Sequence, residues 1–225
     1  MPTTSTKPAA DLALPADISG LRLAYNFQTA WDATPSEGPA FWHVSADIYD
    51  LEAETVTEHV GSFVFYRIEP VETYDLFGVM DGWDADLGHI AEMVIDHGTG
   101  EIDDDLRDKM AGFESDLLVL CSAELEEHWR GFGIGPVLAG HAIKHLGHGC
   151  LGVVLQPASI LPETEQDEDA REHAAEKISK AWETIGFERF GDELMVLDLA
   201  TTTISEALAR QSALFRRLPV ANEEA

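Results

Sequence analysis

The chain has 225 residues, 45% of them apolar, which is enough to bury one substantial core. No apolar run approaches the roughly 20 residues that span a bilayer, and the N-terminus carries neither a basic stretch nor an apolar stretch of the kind that directs secretion, so a soluble, cytoplasmic protein is expected. Fourteen Lys+Arg against 42 Asp+Glu give a net charge of −28, which repels phosphate backbones and anionic lipid, argues against nucleic acid and membrane as partners, and attracts a cationic amine.

Residues 1–17, rich in Thr, Ala and Pro, show no sustained period and read as a loose tail, as do Asn222 to Ala225. One domain is expected over 18–200, followed by a C-terminal helix and tail over 201–225. Leu21 to Phe27, Phe41 to Ile48 and Gly61 to Ile68 read as strands, so the domain opens with antiparallel β-structure. Between Tyr74 and Ile95 the positions Phe77, Met80, Leu87, Ile90 and Val94 fall at helical spacing, while Gly78, Gly82 and Gly88 interrupt it; one broken helix or two short ones fit. A second short helical stretch follows Asp103-Asp104-Asp105.

Asp116 to Leu125 is apolar on both faces through most of its length, the pattern of a central strand covered on both sides by helices. After a glycine-rich turn, a helix from about Gly135 to Leu146 presents Leu138, Ala139, Ala142, Ile143 and Leu146 on one stripe and ends at Gly147 and Gly149. Gly152 to Pro157 is a short buried strand, Pro162 to Asp169 a solvated acidic loop, and the next helix presents Ala174, Ile178, Ala181 and Ile185 before Gly186. Phe187 to Phe190 and Leu194 to Leu199 form a hairpin around Gly191-Asp192-Glu193. The fold class is α/β, a mixed sheet flanked by helices. Cys121 and Cys150 lie in or beside apolar runs and read as small buried thiols, so no disulfide framework is implied.

The chemistry is concentrated in Arg130-Gly131-Phe132-Gly133-Ile134-Gly135, a tight turn between the central strand and a helix. Such a turn gathers backbone N–H groups at a helix N-terminus, where the dipole favours anions, and suits a pyrophosphate. The glycines let backbone approach the ligand, Pro136 fits the helix's first turn, and Arg130 adds a fixed positive charge. The dinucleotide pattern G-x-G-x-x-G fails from Gly131, where Pro136 takes the third glycine's place, and from Gly133, where Leu138 does; the P-loop lacks its Lys-Ser or Lys-Thr.

The pattern that does match is R-x-x-G-x-G, on Arg130, Gly133 and Gly135, which resembles the acetyl-CoA signature of the GNAT N-acyltransferases. Lys180 to Phe187, a helix ending at Gly186-Phe187, looks like that family's second motif, and the resemblance runs from 116 to 199. It implies a GNAT fold with acetyl-CoA as co-substrate, an amine as acceptor, direct attack in a ternary complex, and no metal; a homodimer is left open. By resemblance, Leu125, Glu126 and Glu127 line the pantetheine arm and Arg130 to Gly135 hold the pyrophosphate; Trp182, at helical spacing with Ile178 and Ile185, reads as core or cofactor wall. The early helices depart from the family, which places them directly after the first strand rather than after the third.

An amine with a pKa near ~10.4 must lose a proton before it attacks, and Glu124, near the strand's C-terminal end, is the candidate base. Asp116 lies at the wrong end of the same strand. The tyrosine that many members use to protonate the leaving thiolate is here Trp182, and the asparagine seven residues before it is Ala175, so an acid must come from Tyr25, Tyr49, Tyr66 or Tyr74. These two departures also suit a GNAT-like acyl-CoA sensor without catalysis. His141, His145, His148 and Cys150 have spacings that suit zinc, but they lie beside an apolar stripe and read as a solvated helix flank. The acidic composition fits a solubilising surface or adaptation to salt.

Overall fold

The computed structural model describes residues 13–29, 32, 34, 36–157 and 168–221. Residues 1–12, residues 162–167 of the acidic loop expected over 162–169, and the last four residues lie outside the described residues, while Glu168 and Asp169, at the end of that expected loop, are helical instead. The first three strands, β1 (Leu21–Phe27), β2 (Ala40–Asp50) and β3 (Thr55–Ile68), form an antiparallel meander. β3 begins six residues before the expected strand, because Glu54, at φ 52, closes a tight turn onto β2 and lets the polar run Thr55 to Glu58 pair.

The helical stretch that follows is two helices, α1 (Leu76–Trp83) and α2 (Ala85–Val94). The break falls at Asp84, whose extended backbone ends the first and whose side chain accepts from Asp86 N and Leu87 N to start the second. A short helix α3 (Asp104–Asp108) is capped in the same way by Asp103. Then come β4 (Asp116–Leu125), α4 (Ile134–Leu146), β5 (Cys150–Leu155), α5 (Glu168–Glu183), the hairpin of β6 (Glu188–Phe190) and β7 (Leu194–Asp198), and α6 (Thr203–Phe215).

Among the described residues the strands make one sheet in the order β1-β2-β3-β4-β5-β7-β6, with β4 and β5 parallel and every other pair antiparallel. The parallel pair follows from the α4 crossover, since a parallel connection needs a helix-sized return. β4 and β5 are central, which is why both faces of each are apolar. Leu118, Leu120, Val153, Leu155, Met195 and Leu197 face a core closed by α4, α5 and α6; Leu117, Val119, Val154 and Val196 face a second core closed by α1, α2 and α3.

Leu14 falls in the segment expected to be a loose tail, but it is buried in the first core and bridges Val220, donating from N to Pro219 O and accepting from Ala221 N. An apolar side chain with a place in the core outweighs the disorder-prone composition around it. The expected boundary at 18 therefore moves back to include Leu14.

Trp129, in the turn between β4 and α4, is fully buried in the first core, and its indole N–H donates to Glu58 Oε1 at 2.6 Å. His128 Nε2 lies 2.7 Å from the same oxygen. Replacing Glu58 with Ala strands a buried N–H, which costs about 1–3 kcal/mol. The urea midpoint of Glu58→Ala is expected to fall accordingly, with Glu58→Gln recovering part of the loss; unchanged unfolding curves would show that the turn is held by packing alone.

Candidate active site

β4 and β5 pair only from Asp116↔Cys150 to Leu120↔Leu155, where β5 ends, while β4 runs on to Leu125. Residues 121–125 therefore keep β3 on one side and have no β5 partner on the other. A bulge at Cys121, between the pairs Phe65↔Leu120 and Val64↔Ser122, sits where the two strands part. Beyond Leu125 the chain stays on β3 through Glu126 N donating to Val60 O, and makes a 3₁₀ turn over Glu127–Trp129. Gly131 at φ 87 and Gly133 at φ 76 then bring it into α4. Both are left-handed, so the turn needs glycine for its backbone, and a Cβ on either would meet nothing within 4 Å, so both face open space.

Gly133 is the N-cap of α4 and supplies no side-chain hydrogen bond to it. The first N–H groups of a 13-residue helix thus stand beside two open glycines and below an unpaired strand end. Arg130 is exposed and held there by its Nε donating to Leu125 O at 2.8 Å.

The residues singled out in the sequence fall into two sets. Glu124, Glu126, Glu127, Arg130, Gly131 and Gly133 are exposed, Leu125 and Phe132 are half-buried, and together they surround the gap. Ile134 and Gly135 are buried in the first turn of α4, with Gly135 against Leu125, and Trp182 is only 6% exposed, edge-on to Phe187 in the α4-side core. Of the two roles expected for Trp182, its burial supports the core. Asp116, at the far end of β4, is clamped by Arg67 at 2.5 Å. The histidine set is dispersed: His141 meets Ser212, and the His145 ring lies tilted against that of Tyr25. Burial, then Lys144 and Arg216, lowers the His141 pKa.

Three residues that sequence reading did not connect meet on the α2 side of the bulge. Cys121 Sγ lies 3.9 Å from Asp84 Oδ1 and donates to it, and ligand atoms of Asp84, Asp86 and Cys121 fall within 4.8 Å of one another. Tyr66 lies beside them: burial first, then the charges of Asp84 and Cys121, push its phenol up to about 12. Of the four tyrosines, Tyr25 belongs to the opposite core face, Tyr49 is half-buried on β2 opposite Val56, and Tyr74 is fully exposed, which leaves Tyr66 as the one buried at the bulge. Nothing in the sequence sets the three together, and Asp84 stands out only through its place as the cap of α2.

Below the cluster, Glu193 Oε2 in the β6–β7 turn takes contacts from His89 Nε2 on α2 at 3.2 Å and from Gln156 Nε2, just past β5, at 3.1 Å. A cleft of about 390 Å³ lies between α1 and α2, lined by Trp83, Asp84, Gly88 and His89. The larger cleft, about 710 Å³, lies instead on the other face, between β1, α4 and α6. It reaches only Ile134 of the glycine turn, so its size does not make it the reactive site.

No protein-family profile matches this chain, and no curated protein matches it in sequence. No helix among the described residues is long and apolar enough to cross a membrane.

The cluster at the bulge has a measurable titration. Burial first, then Asp84 and Asp86, push the Cys121 thiol up to about 12, and burial pushes Cys150 up to about 11. In the unfolded chain a thiol ionises near ~8.5 and a phenol near ~10. Below about pH 8 both states hold these protons and the groups add no pH dependence; above it the unfolded chain binds fewer protons than the folded one, so stability falls as pH rises towards 12. Urea midpoints are expected to fall between about pH 8.5 and 11, less steeply in Cys121→Ala, and native protein at about pH 8 is expected to resist alkylation by iodoacetamide. Rapid alkylation, or the same slope in both proteins, would contradict this picture.

Proposed function

We propose that this protein is an N-acyltransferase on a GNAT-type fold that moves an acetyl group from acetyl-CoA to an amine by direct attack in a ternary complex. The observation that carries the proposal is the parting of β4 from β5 immediately above a left-handed glycine turn at the N-terminus of α4. The strand end offers backbone to a pantetheine amide, and the helix N-terminus offers N–H groups to a pyrophosphate. The R-x-x-G-x-G match at Arg130 to Gly135 and the helix ending at Gly186-Phe187 before the last two strands support the same reading.

In this reading Leu125, Glu126 and Glu127 line the arm, and Arg130 to Gly135 take the pyrophosphate. The amine nitrogen attacks the thioester carbonyl, Glu124 accepts its proton, and the thiolate leaves with the carbon–sulfur bond pair. A thiolate whose conjugate acid has a pKa near ~8.5 leaves without an obligatory acid, so the buried Trp182 in place of tyrosine does not bar the reaction. The net charge of −28 favours a cationic acceptor, and the acids Asp84, Asp86 and Glu124 lie around the parted strands. That same buried Trp182 favours a second reading, an acyl-CoA-binding module without turnover, which an amine panel separates from the first by acceptor-dependent thiol release.

Acetyl-CoA is expected to raise the melting temperature, since a ligand at 100 times its Kd adds about 2.7 kcal/mol to the folded state. Gly133→Val is expected to abolish the shift, because its backbone stands at φ 76 and its Cβ would enter the open space where the ligand approaches. Calorimetry in which the wild type binds neither acetyl-CoA nor coenzyme A removes both readings. If Glu124 accepts the amine proton, Glu124→Gln is expected to keep acetyl-CoA affinity while kcat falls roughly 10²- to 10⁴-fold. The deficit is expected to narrow as pH rises from about 6.5 to 9.5, because more amine then arrives unprotonated; equal rates throughout would take Glu124 out of the mechanism.

A further inference from the structure

His59 and Ser62 both lie on β3, three residues apart, and in an unbroken strand they would point to opposite faces. Here the pairing with β2 steps from Ala46↔Gly61 directly to Asp47↔His59 and leaves Val60 as an extra residue. Val60 is fully buried in the α4-side core, and the bulge turns His59 onto the same face as Ser62. Ser45 and Asp47, two apart on β2, come to the same place. A continuous line of hydrogen bonds results: Asp47 Oδ1 lies 2.7 Å from His59 Nδ1, His59 Nε2 lies 3.1 Å from Ser62 Oγ, and Ser45 Oγ donates to Asp47 Oδ2 at 2.5 Å.

The direction of the line follows from chemistry. An ionised carboxylate only accepts, so Nδ1 carries the ring proton, and Nε2 of the neutral imidazole is left to accept from the Ser62 hydroxyl. The Asp47 side chain is 15% exposed and that of His59 40%, so the acid lies inward and the base reaches solvent. Ser62 is half-buried and pairs across the strands with the exposed Glu124, one strand away from the unpaired end of β4.

We propose that Asp47, His59 and Ser62 form a nucleophilic centre that takes an acyl group from an activated ester or thioester onto Ser62 Oγ. The Ser62 oxygen bonds to the acyl carbon as its proton passes to His59 Nε2. The bond from that carbon to the alkoxide or thiolate breaks, and the departing group takes the proton from Nε2, leaving acyl-Ser62 and a free alcohol or thiol. Water then gives a proton to His59 and its oxygen to the acyl carbon; Ser62 recovers a proton from Nε2 and a carboxylic acid is released. Asp47 keeps the imidazole in the required tautomer and stabilises its charged form, and Ser45 fixes Asp47. The centre stands on its own geometry and does not depend on acyl-CoA binding.

The test treats the full-length protein with a fluorophosphonate, which reacts with base-activated serines, and reads adducts by intact-protein and peptide mass spectrometry, with p-nitrophenyl acetate hydrolysis alongside. The expected result is one adduct per chain on Ser62, absent from Ser62→Ala and formed roughly 10²-fold or more slowly in His59→Gln and Asp47→Asn. Circular-dichroism melts select the variants that keep the fold. Failure to label Ser62, or labelling at the wild-type rate in every folded His59 or Asp47 variant, overturns the proposal and leaves an unreactive polar network on the sheet face. Acetyl-CoA titration of Ser62→Ala, run in parallel, judges the acyl-CoA reading separately.

Discussion

The arrangement at the parted strands depends on the burial of Trp129. A chain leaving β4 through a short 3₁₀ turn and two left-handed glycines has little local preference for one path, because glycine gives up more backbone freedom than any other residue on being ordered. Trp129 supplies the preference. Its indole fills the α4-side core, and its one polar atom is satisfied by Glu58 on β3, so the turn is fixed to the strand beside β4 as well as, through Arg130 Nε and Leu125 O, to the end of β4 itself. Glu126 N bonding to Val60 O extends the same attachment. With the turn fixed to β3, β4 can part from β5 without the glycines or the start of α4 losing their places.

One strand then serves two environments. Leu118, Leu120, Ala123 and Leu125 of β4 face the core under α4, while Leu117, Val119 and Cys121 face the core under α1 and α2. The bulge at Cys121 lets this alternation change phase where the pairing to β5 ends. A second bulge, at Val60 on the neighbouring strand, brings His59 and Ser62 together. Both irregularities lie towards the end of the sheet at which β4 outruns β5, and each places polar groups beside a well-packed interior.

Much of this was legible in the sequence where the signal is local. Asp116 to Leu125 is apolar on both faces and proved central; the glycines at 78, 82 and 88 left one broken helix or two short ones open, and the structure has two, the second capped by Asp84. The glycine turn was found because left-handed backbone and an anion-ready helix start leave a mark on a few adjacent residues. What escaped was non-local or depended on a single inserted residue. The meeting of Tyr66, Asp84, Asp86 and Cys121 joins three elements far apart in the chain. The line from Asp47 to Ser62 exists only because Val60 is out of register, and a period-two reading of β3 puts His59 and Ser62 on opposite faces. The start of β3 was missed because Thr55 to Glu58 carries too little apolar character to announce a strand, and Leu14 because a single buried residue has no period.

The bridge between Leu14 and Val220 makes the two ends of the described chain mutual supports. Leu14 N bonds Pro219 O and Ala221 N bonds Leu14 O, so neither strand-like segment has its hydrogen bonds without the other. Leu14 and Val220 also line the large cleft between β1, α4 and α6. The free energy holding one end in place is therefore conditional on the other, and the two form a single cooperative unit in which fraying at either end opens the same wall of that cleft.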